Sequence, residues 1–575
     1  MLRYTLLIGL LWGLLLSACG SQNSNTTDQT SSNNTAPRMD STCNNADERV
    51  TIDGQEAICM LDSAGMLAWM PANQADSNQS QPVRIDGPCD TADERANIDG
   101  TEVICMRNSA GMLAWQSAQS DADETNFDQV PDHAYDMVQV GMACDTPGNT
   151  VFMNELYVCK NGAWSYPIPG DLPTNADGSK PDWYPALDTL VNHGQAPATC
   201  APSDVTFTHS FLPVDQLDAS IPYGAMIYDH VTPIDHAYIG IKTLNIATEA
   251  RTEADYLPIT APADGVIIEV GSLGSPTSHR VVINHGCGVY TVYMVVNRLT
   301  GALADVAATV ESQSNVSTNI AIKAGEEFGQ QRDNPLDFNV WAADVWLSGL
   351  ANPLAYIYAD SWKPYTADPT RFFTPELAEQ YSNIMQRTSE PRWGKIDHDV
   401  VGSASGNWFL QGTMGYSGRA VSDYANASKP VPGGQVPGKT TYAYGHLSIA
   451  PHEVDTQAWV FSTGWWQDPA GDPRQTFLVI ETEQPTPDQL TSADGVVVYG
   501  LADGQRLDAD GAPIQMNPAQ PMAPMPVGYI MGVGPAFGSV ALQVNADGTL
   551  SVELFPDQPD VQITQLSDQQ RIYQR

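Results

Sequence analysis

Nine cysteines, at 19, 43, 59, 89, 105, 144, 159, 200 and 287, are the residues whose type and spacing first suggest chemistry in this chain. A thiol can bridge to another thiol, ligate a soft metal or accept an acyl group. No two of these cysteines stand in a Cys-x-x-Cys pair, which removes the thiol-redox and zinc-knuckle patterns. Six of the nine recur in an internal repeat. Cys43-Asn44-Asn45-Ala46-Asp47-Glu48-Arg49 returns 46 positions later as Cys89-Asp90-Thr91-Ala92-Asp93-Glu94-Arg95, Ile58-Cys59-Met60 as Ile104-Cys105-Met106, and Ser63 to Trp69 as Ser109 to Trp115. A shorter third copy runs from Ala143-Cys144-Asp145 through Val158-Cys159 to Gly162-Ala163-Trp164. Each copy has only about thirty residues, too few for a stabilising core, so a bridge inside each is the expected staple. The expected pairs are Cys43 with Cys59, Cys89 with Cys105, and Cys144 with Cys159. The residues after each second Cys predict a hairpin: an edge strand carrying that Cys, a glycine turn, and a strand bearing Trp. Trp69, Trp115 and Trp164 are then either stacking platforms for an envelope sugar or peptide, or each module's own core packed on its disulfide. Polar stretches at 71–86 and 117–132 separate the modules like beads.

The N-terminus supplies the address. Residues 1–18 hold one cation, Arg3, and an apolar run from Tyr4 to Leu16, shorter than the ~20 residues that span a bilayer, which is the pattern of a signal peptide. Leu16-Ser17-Ala18-Cys19-Gly20 resembles the bacterial lipoprotein cleavage site. That resemblance implies lipidation of Cys19 as the first mature residue, with several acyl chains, palmitate among them, anchoring the protein stably. Gly20 stands where the inner-membrane retention signal has Asp, so the expected location is a bacterial membrane reached by export: the outer membrane, its periplasmic face or the cell surface. Residues 19–41 are mostly Ser, Asn, Thr, Gln and Asp and form a flexible tether. Export makes disulfides the default, and setting Cys19 aside leaves Cys200 and Cys287 to pair by parity. With 26 Lys+Arg against 67 Asp+Glu the net charge is −41, which repels nucleic acid and anionic headgroups, and no basic patch offsets it. The 46 Gly and 41 Pro favour short strands joined by turns over helical bundles.

From about Thr199 strand-like runs become continuous. Ala261-Pro262-Ala263-Asp264-Gly265-Val266 sets a turn between strands, and Ile283-Asn284-His285-Gly286 leads through Cys287-Gly288 to Val289-Tyr290-Thr291-Val292-Tyr293. Lys323-Ala324-Gly325-Glu326-Glu327-Phe328-Gly329 then precedes Leu336-Asp337-Phe338. In this order, over about Pro222 to Asn352, the chain resembles the lysostaphin/LytM-type zinc metallopeptidases of bacterial cell walls. The resemblance implies an antiparallel β-sandwich of the barrel-sandwich hybrid kind and cleavage of peptidoglycan crosslinks. The family's zinc site uses a His followed four residues later by Asp, a His just after Tyr-Thr-x-Tyr-x, and a His-x-His beside Leu-x-Phe. Here His236 is followed at that distance by Gly240, and sliding the frame puts Lys242 there instead. Val295 replaces the later His, and Pro335 and Asp337 take the His-x-His positions. Only Asp337 is a ligand type, so a pseudoenzyme without catalytic zinc or assigned catalytic residues is expected. A narrower stretch, Ile221-Pro222-Tyr223-Gly224 with His230-Val231-Thr232-Pro233-Ile234-Asp235-His236-Ala237-Tyr238, is similar to exported bacterial proteins of this fold that lack the zinc motif. His230, Asp235 and His236 stand there either for a metal or polar ligand or for a structural His–Asp hydrogen bond. His285, which is not a ligand in the family, is expected to be structural.

In the C-terminal third, Thr374-Pro375 to Gln386 has the cap, first-turn proline and apolar spacing of a helix. Short strands follow, among them a hairpin of Val540 to Val544 with Leu550 to Phe555, and argue a β-sandwich or barrel. Trp465-Trp466 and Trp408 are either a carbohydrate platform or core, and Asp508-Ala509-Asp510-Gly511 reads as a turn. The expected class is mainly β: disulfide repeats at 42–72, 87–117 and 141–167, a linker at 168–198, the sandwich at 199–365, a helical connector at 366–392, and a second β domain at 393–575. The expected function is non-catalytic binding or scaffolding in the envelope, with the membrane and a cell-wall glycan or peptide as partners. The alternatives are a peptidoglycan metalloendopeptidase whose zinc site is rebuilt from His230, His236 and Asp337, and a structural surface spacer. Metal analysis of purified protein separates the first two: the pseudoenzyme reading expects no stoichiometric zinc, and zinc lost on His236→Ala would overturn it.

Overall fold

Each repeat folds as a three-stranded antiparallel sheet. The first is β1 (Arg49–Ile52), β2 (Gln55–Leu61) and β3 (Leu67–Pro71); the second is β4 (Arg95–Ile98), β5 (Thr101–Arg107) and β6 (Leu113–Ser117). The third is β7 (Thr150–Phe152), β8 (Leu156–Lys160) and β9 (Ala163–Ser165). Repeated sequence gives repeated register: Arg49 faces Ile58 as Arg95 faces Ile104, and Cys59, Cys105 and Cys159 lie opposite Trp69, Trp115 and Trp164. The cysteine strand is therefore the middle one of three rather than an edge, because a preceding strand pairs along its other side. The computed structural model describes residues 49–52, 55–61, 67–71, 95–98, 101–107 and 113–117 as strand backbone. From 140 on it describes all but 153–154, 192–199, 228–229, 423–444, 465–473, 481–483, 516–519, 521–522 and 560. The leader, Cys19, the tether, Cys43, Cys89, Trp465 and Trp466 lie outside the described residues, as do the side chains of Cys59, Trp69, Cys105 and Trp115.

The chain divides into two compact units, 1–132 with the first two repeats and 133–575 with the third repeat and everything after it. In the third repeat the Cys144–Cys159 bridge is formed, and Asn161 and Gly162 both take the positive φ that a tight two-residue hairpin turn demands. This copy is not a free bead. Leu156 and Val158 share a buried cluster with Val282, Tyr290 and Trp341 of the sandwich. The stretch expected as a linker is also part of the packed unit, since Leu172, Tyr184, Leu187 and Val191 join the same cluster. Its apolar residues are widely spaced among prolines and polar residues, but the apolar outer face of a sheet needs a cover, and this segment supplies it.

The sandwich comprises β10 (Leu217–Ile221), β11 (Ala237–Ile241), β12 (Leu257–Thr260), β13 (Gly265–Ser275), β14 (Ser278–Asn284), β15 (Val289–Val296), β16 (Arg298–Leu299), β17 (Asn315–Ile322), β18 (Glu327–Gln331) and β19 (Leu336–Ala342). Seven of these form an antiparallel sheet in the order β10-β11-β19-β15-β14-β13-β17, and β12-β18-β16 form the opposing sheet. Ile239, Val281, Tyr293 and Phe338 from the large sheet meet Ile259, Phe328 and Leu299 from the small one in the core. The helix Pro375–Ile384 forms as expected with Pro375 in its first turn, although the Thr374 side chain makes no capping bond. Its Tyr381 stacks on Phe211 at 4.7 Å, and Phe211 stacks on Phe338 at 4.2 Å, so the connector completes the core. Cys200 and Cys287 are bridged, clipping the arm that carries Phe207 and Phe211 to the turn before β15.

The C-terminal region is a closed eight-stranded antiparallel barrel: β20 (Gly406–Leu410), β21 (His446–Pro451), β22 (Trp459–Gly464), β23 (Arg474–Ile480), β24 (Val497–Leu507), β25 (Ile530–Val544), β26 (Leu550–Pro556) and β27 (Arg571–Gln574). The expected hairpin is β25–β26, with Val544 opposite Leu550. Trp408 is 1% exposed in the barrel core and donates its indole N–H to the Ala404 carbonyl at 2.9 Å, so it packs the interior instead of offering a platform. Asp508 accepts the N–H groups of Asp510 and Ala512 at 3.0 and 2.8 Å, as a turn does.

Removing the Cys200–Cys287 bridge, whose partners are 87 positions apart, should destabilise more than removing Cys144–Cys159, 15 apart. Loop-closure entropy puts the two losses at ~4.5 and ~3 kcal/mol. Thermal unfolding of the paired Cys→Ser variants checks the order.

Candidate functional site

Side chains alternate across a strand, and β19 uses both faces fully. Leu336, Phe338 and Val340 enter the core, while Asp337, Asn339 and Trp341 form a row on the other face. Neighbouring strands add Arg280, Val292 and Met294; the approach to β11 adds His230, Asp235 and His236; the segment after β19 adds Tyr358, Asp360 and Trp362; and the turn after β20 adds Tyr416 and Ser417. Except for Asp337, which lies beneath His236, these residues line a cavity of about 400 Å³, in the ~300–1,000 Å³ range of small-ligand clefts.

The floor is ionic and buried. Asp235, His236, Asp337, Asn339 and Lys363 are between 1% and 7% exposed. His236 Nδ1 meets Asp235 Oδ1 at 3.2 Å, and Nε2 faces Asp337 Oδ2 at 3.6 Å. Asn339 donates from Nδ2 to the other Asp235 oxygen at 3.2 Å, and the His230 ring meets His236 edge-on at 5.4 Å. Lys363 Nζ lies 3.8 Å from Asp360, donates to the Tyr416 hydroxyl at 3.3 Å and sits 4.5 Å from that ring's centre. Arg280 pairs with Glu269 and lies 5.7 and 5.3 Å from the Trp341 and Trp362 rings, which stack on each other at 5.1 Å.

Two wall residues are placed from a distance. His446 of the barrel donates Nε2–H to the Tyr416 carbonyl at 2.9 Å, and burial with the nearby Lys363 charge pulls its pKa down to about 3, keeping the ring neutral. Tyr358 donates to the Pro167 carbonyl at 3.0 Å, tying the wall to the end of the third repeat.

Burial pushes the Asp235 carboxyl up, but the Lys363 charge and the His236 ring outweigh it and hold Asp235 well below the usual carboxylate range. Burial pulls His236 down, and the Asp235 hydrogen bond with the Asp337 and Asp235 charges more than reverses this, leaving it above the ordinary imidazole value. Burial takes Asp337 up to about 7 against the opposing pull of His236.

The side chains present do not fit the zinc site of the resembled family. A Cβ on Gly240 would sit 2.2 Å from the Ala219 carbonyl oxygen, so no carboxylate can stand there, and Lys242 is exposed with its ammonium on the Asp215 carbonyl at 2.6 Å. Val295 occupies a bulge at φ 60 where the pairing of β14 with β15 slips. The structure does bring His230, His236 and Asp337 together, but Asp235 and Asp337 hold opposite nitrogens of the His236 ring and cannot share an ion with it. Among the described residues no three His, Cys, Asp or Glu side chains converge as a metal site requires.

His285 is structural: Nδ1–H donates to the Asp264 carbonyl at 3.0 Å, and Nε2 accepts from the Thr291 hydroxyl at 2.8 Å. Trp164 is half-buried against a cluster containing Tyr157, Tyr166 and Met414, so it packs on the body of its unit. The residues that sequence reasoning missed are Asn339, Trp341, Asp360, Trp362, Lys363 and Tyr416. The alternation Asp337-x-Asn339 carried a signal for the first, as a second polar residue two positions along a buried strand. Apart from Trp341 on the same strand, the others come from loops without pattern.

Asp337 is raised, so its contribution to stability is full below its unfolded value and is lost as pH rises through about 7. His236, also raised, acts with the same sign. Asp337→Asn should accordingly melt higher than wild type at pH 8 and lose that advantage by pH 5, shifting by a few degrees. Paired melting curves across that range check the crossover.

Compared with known proteins, the chain matches no family model, no curated protein and no solved structure.

Proposed function

We propose that the chain is an exported, lipid-anchored envelope protein whose peptidase-like sandwich binds a ligand and does not cut one. The observation that carries this reading is the cavity on the outer face of the large sheet, walled by aromatic rings and floored by a buried ionic cluster. Burying Asp235, His236 and Lys363 costs several kcal/mol per ion unless each is paired. A spacer would have no use for such a floor. A zinc hydrolase would need ligands at 240 or 242 and at 295, where this chain has Gly, Lys and Val.

Acyl chains on Cys19 would hold the protein to its membrane, and a wall glycan or peptide would be the partner within reach. The charge of −41 opposes long-range attraction to anionic wall polymers, so recognition has to be short-ranged. That requirement favours a pocket over an electrostatic surface.

The test is fractionation with palmitate labelling, followed by sedimentation with isolated sacculi. Full-length protein should label, partition with membranes and co-sediment. Cys19→Ser should neither label nor partition, and Trp362→Ala should co-sediment several-fold less. Unlabelled wild type, or co-sedimentation indifferent to Trp362, would defeat the reading.

A further inference from the structure

Three residues of one loop line the cavity at alternate positions: Tyr358, Asp360 and Trp362. All three are half-buried, so unlike the sealed floor beneath them they present surface that a ligand can reach. The Asp360 side chain keeps 26% of its surface exposed. Its charge is incompletely balanced. Lys363 Nζ stands 3.8 Å away, beyond hydrogen-bond distance, and the same ammonium is the largest charge acting on Asp235. One cation thus serves two carboxylates. His236 is held between Asp235 and Asp337, and Arg280 pairs with Glu269, so both are engaged elsewhere. Burial raises the Asp360 carboxyl above the usual carboxylate range; the Lys363 charge only partly offsets that rise, and the Asp235 charge adds to it.

A ligand that completes this balance carries a positive charge. A metal ion is the wrong form of it, because among the described residues no three His, Cys, Asp or Glu side chains converge. The rings on either side of Asp360 in the loop favour an organic cation instead. This wall already holds cations against aromatic faces: Arg280 lies 5.3 Å from the Trp362 ring centre, and Lys363 lies 4.5 Å from that of Tyr416. Met294 on the sheet side and Ala359 in the loop, both half-buried, line the same cavity and give apolar surface for a hydrocarbon stem. At longer range the net charge of −41 draws cations in where it repels anions.

From these observations, and resting on the binding reading above, we infer that the cavity takes an alkylammonium group, the side-chain amine of a peptide. The ammonium pairs with Asp360 beside the rings of Tyr358 and Trp362, and its stem lies against Met294. Of the two kinds of wall partner, glycan and peptide, this selects the peptide.

Full-length protein in mild detergent is titrated by calorimetry with pentylammonium and Nα-acetyl-lysine amide, and in parallel with pentanol, pentanoate and glucosamine. The two alkylammonium probes should bind at least about tenfold more tightly than the other three, and their affinity should fall as salt is raised. Asp360→Asn should weaken them about tenfold with the melting temperature retained, while Trp362→Phe keeps most of the affinity. Should Asp360→Asn fail to fold, Met294→Lys, which tethers an ammonium to the cavity wall, should abolish binding of both probes. Equal binding of pentanol or pentanoate, or an affinity indifferent to Asp360, overturns the cation assignment and leaves the binding reading standing. Tighter binding of glucosamine than of pentylammonium overturns the alkyl stem and with it the peptide source. Binding of no probe by folded protein overturns the assignment, and if sacculi also fail to sediment it, the binding reading falls with it.

Discussion

A buried polar row on one strand governs the organisation of this molecule. Asp337 and Asn339 lie on the middle of a sheet face, under cover, and a carboxylate in such a place is tolerable only when something compensates it. His236 comes from the approach to β11 to face Asp337, Asp235 comes with it, and Lys363 arrives from the segment after β19 to balance Asp235 and Asp360. Lys363 in turn packs on Tyr416, which His446 of the barrel holds by its backbone. Each compensation recruits a further segment, so the ionic requirement of one strand bears on how the covering loops and the barrel turn close around it.

How much of this was legible depended on how local the determinant was. The repeats, the Cys144–Cys159 bridge, the β25–β26 hairpin and the helix at Pro375 were readable because turn residues, caps and alternation act over a few positions. Cys200 with Cys287 was readable for a different reason, since counting leaves no other partner. The segment from Leu172 to Val191 looked like a linker because its apolar residues are sparse, and only the sheet face beneath shows that sparse residues suffice to cover it. The site was half legible. His230, His236 and Asp337 were singled out as metal candidates and do lie together, and the Asp235–His236 hydrogen bond that the sequence offered as the alternative is formed. Asp360, Trp362, Lys363 and Tyr416 sit in stretches without periodicity and become neighbours of the cluster only through tertiary closure.

The third repeat shows the same sequence pattern serving a different purpose. Its register matches the first two copies at the Cys–Trp pair, yet its strand β8 is buried against the sandwich, and the chain just after it anchors the Tyr358 wall through Pro167. A module too small for its own core has here been absorbed into a larger one.

Gly240 bears on what this scaffold can become. With the Ala219 carbonyl 2.2 Å from where a Cβ would stand, the backbone of β10 occupies the space that a metal-binding carboxylate would need. A carboxylate at 240 could not be placed on this sheet without a shift of β10, a strand that carries no chemistry of its own. The obstacle is thus one backbone oxygen, and it bars every side chain at this position, whatever its chemistry.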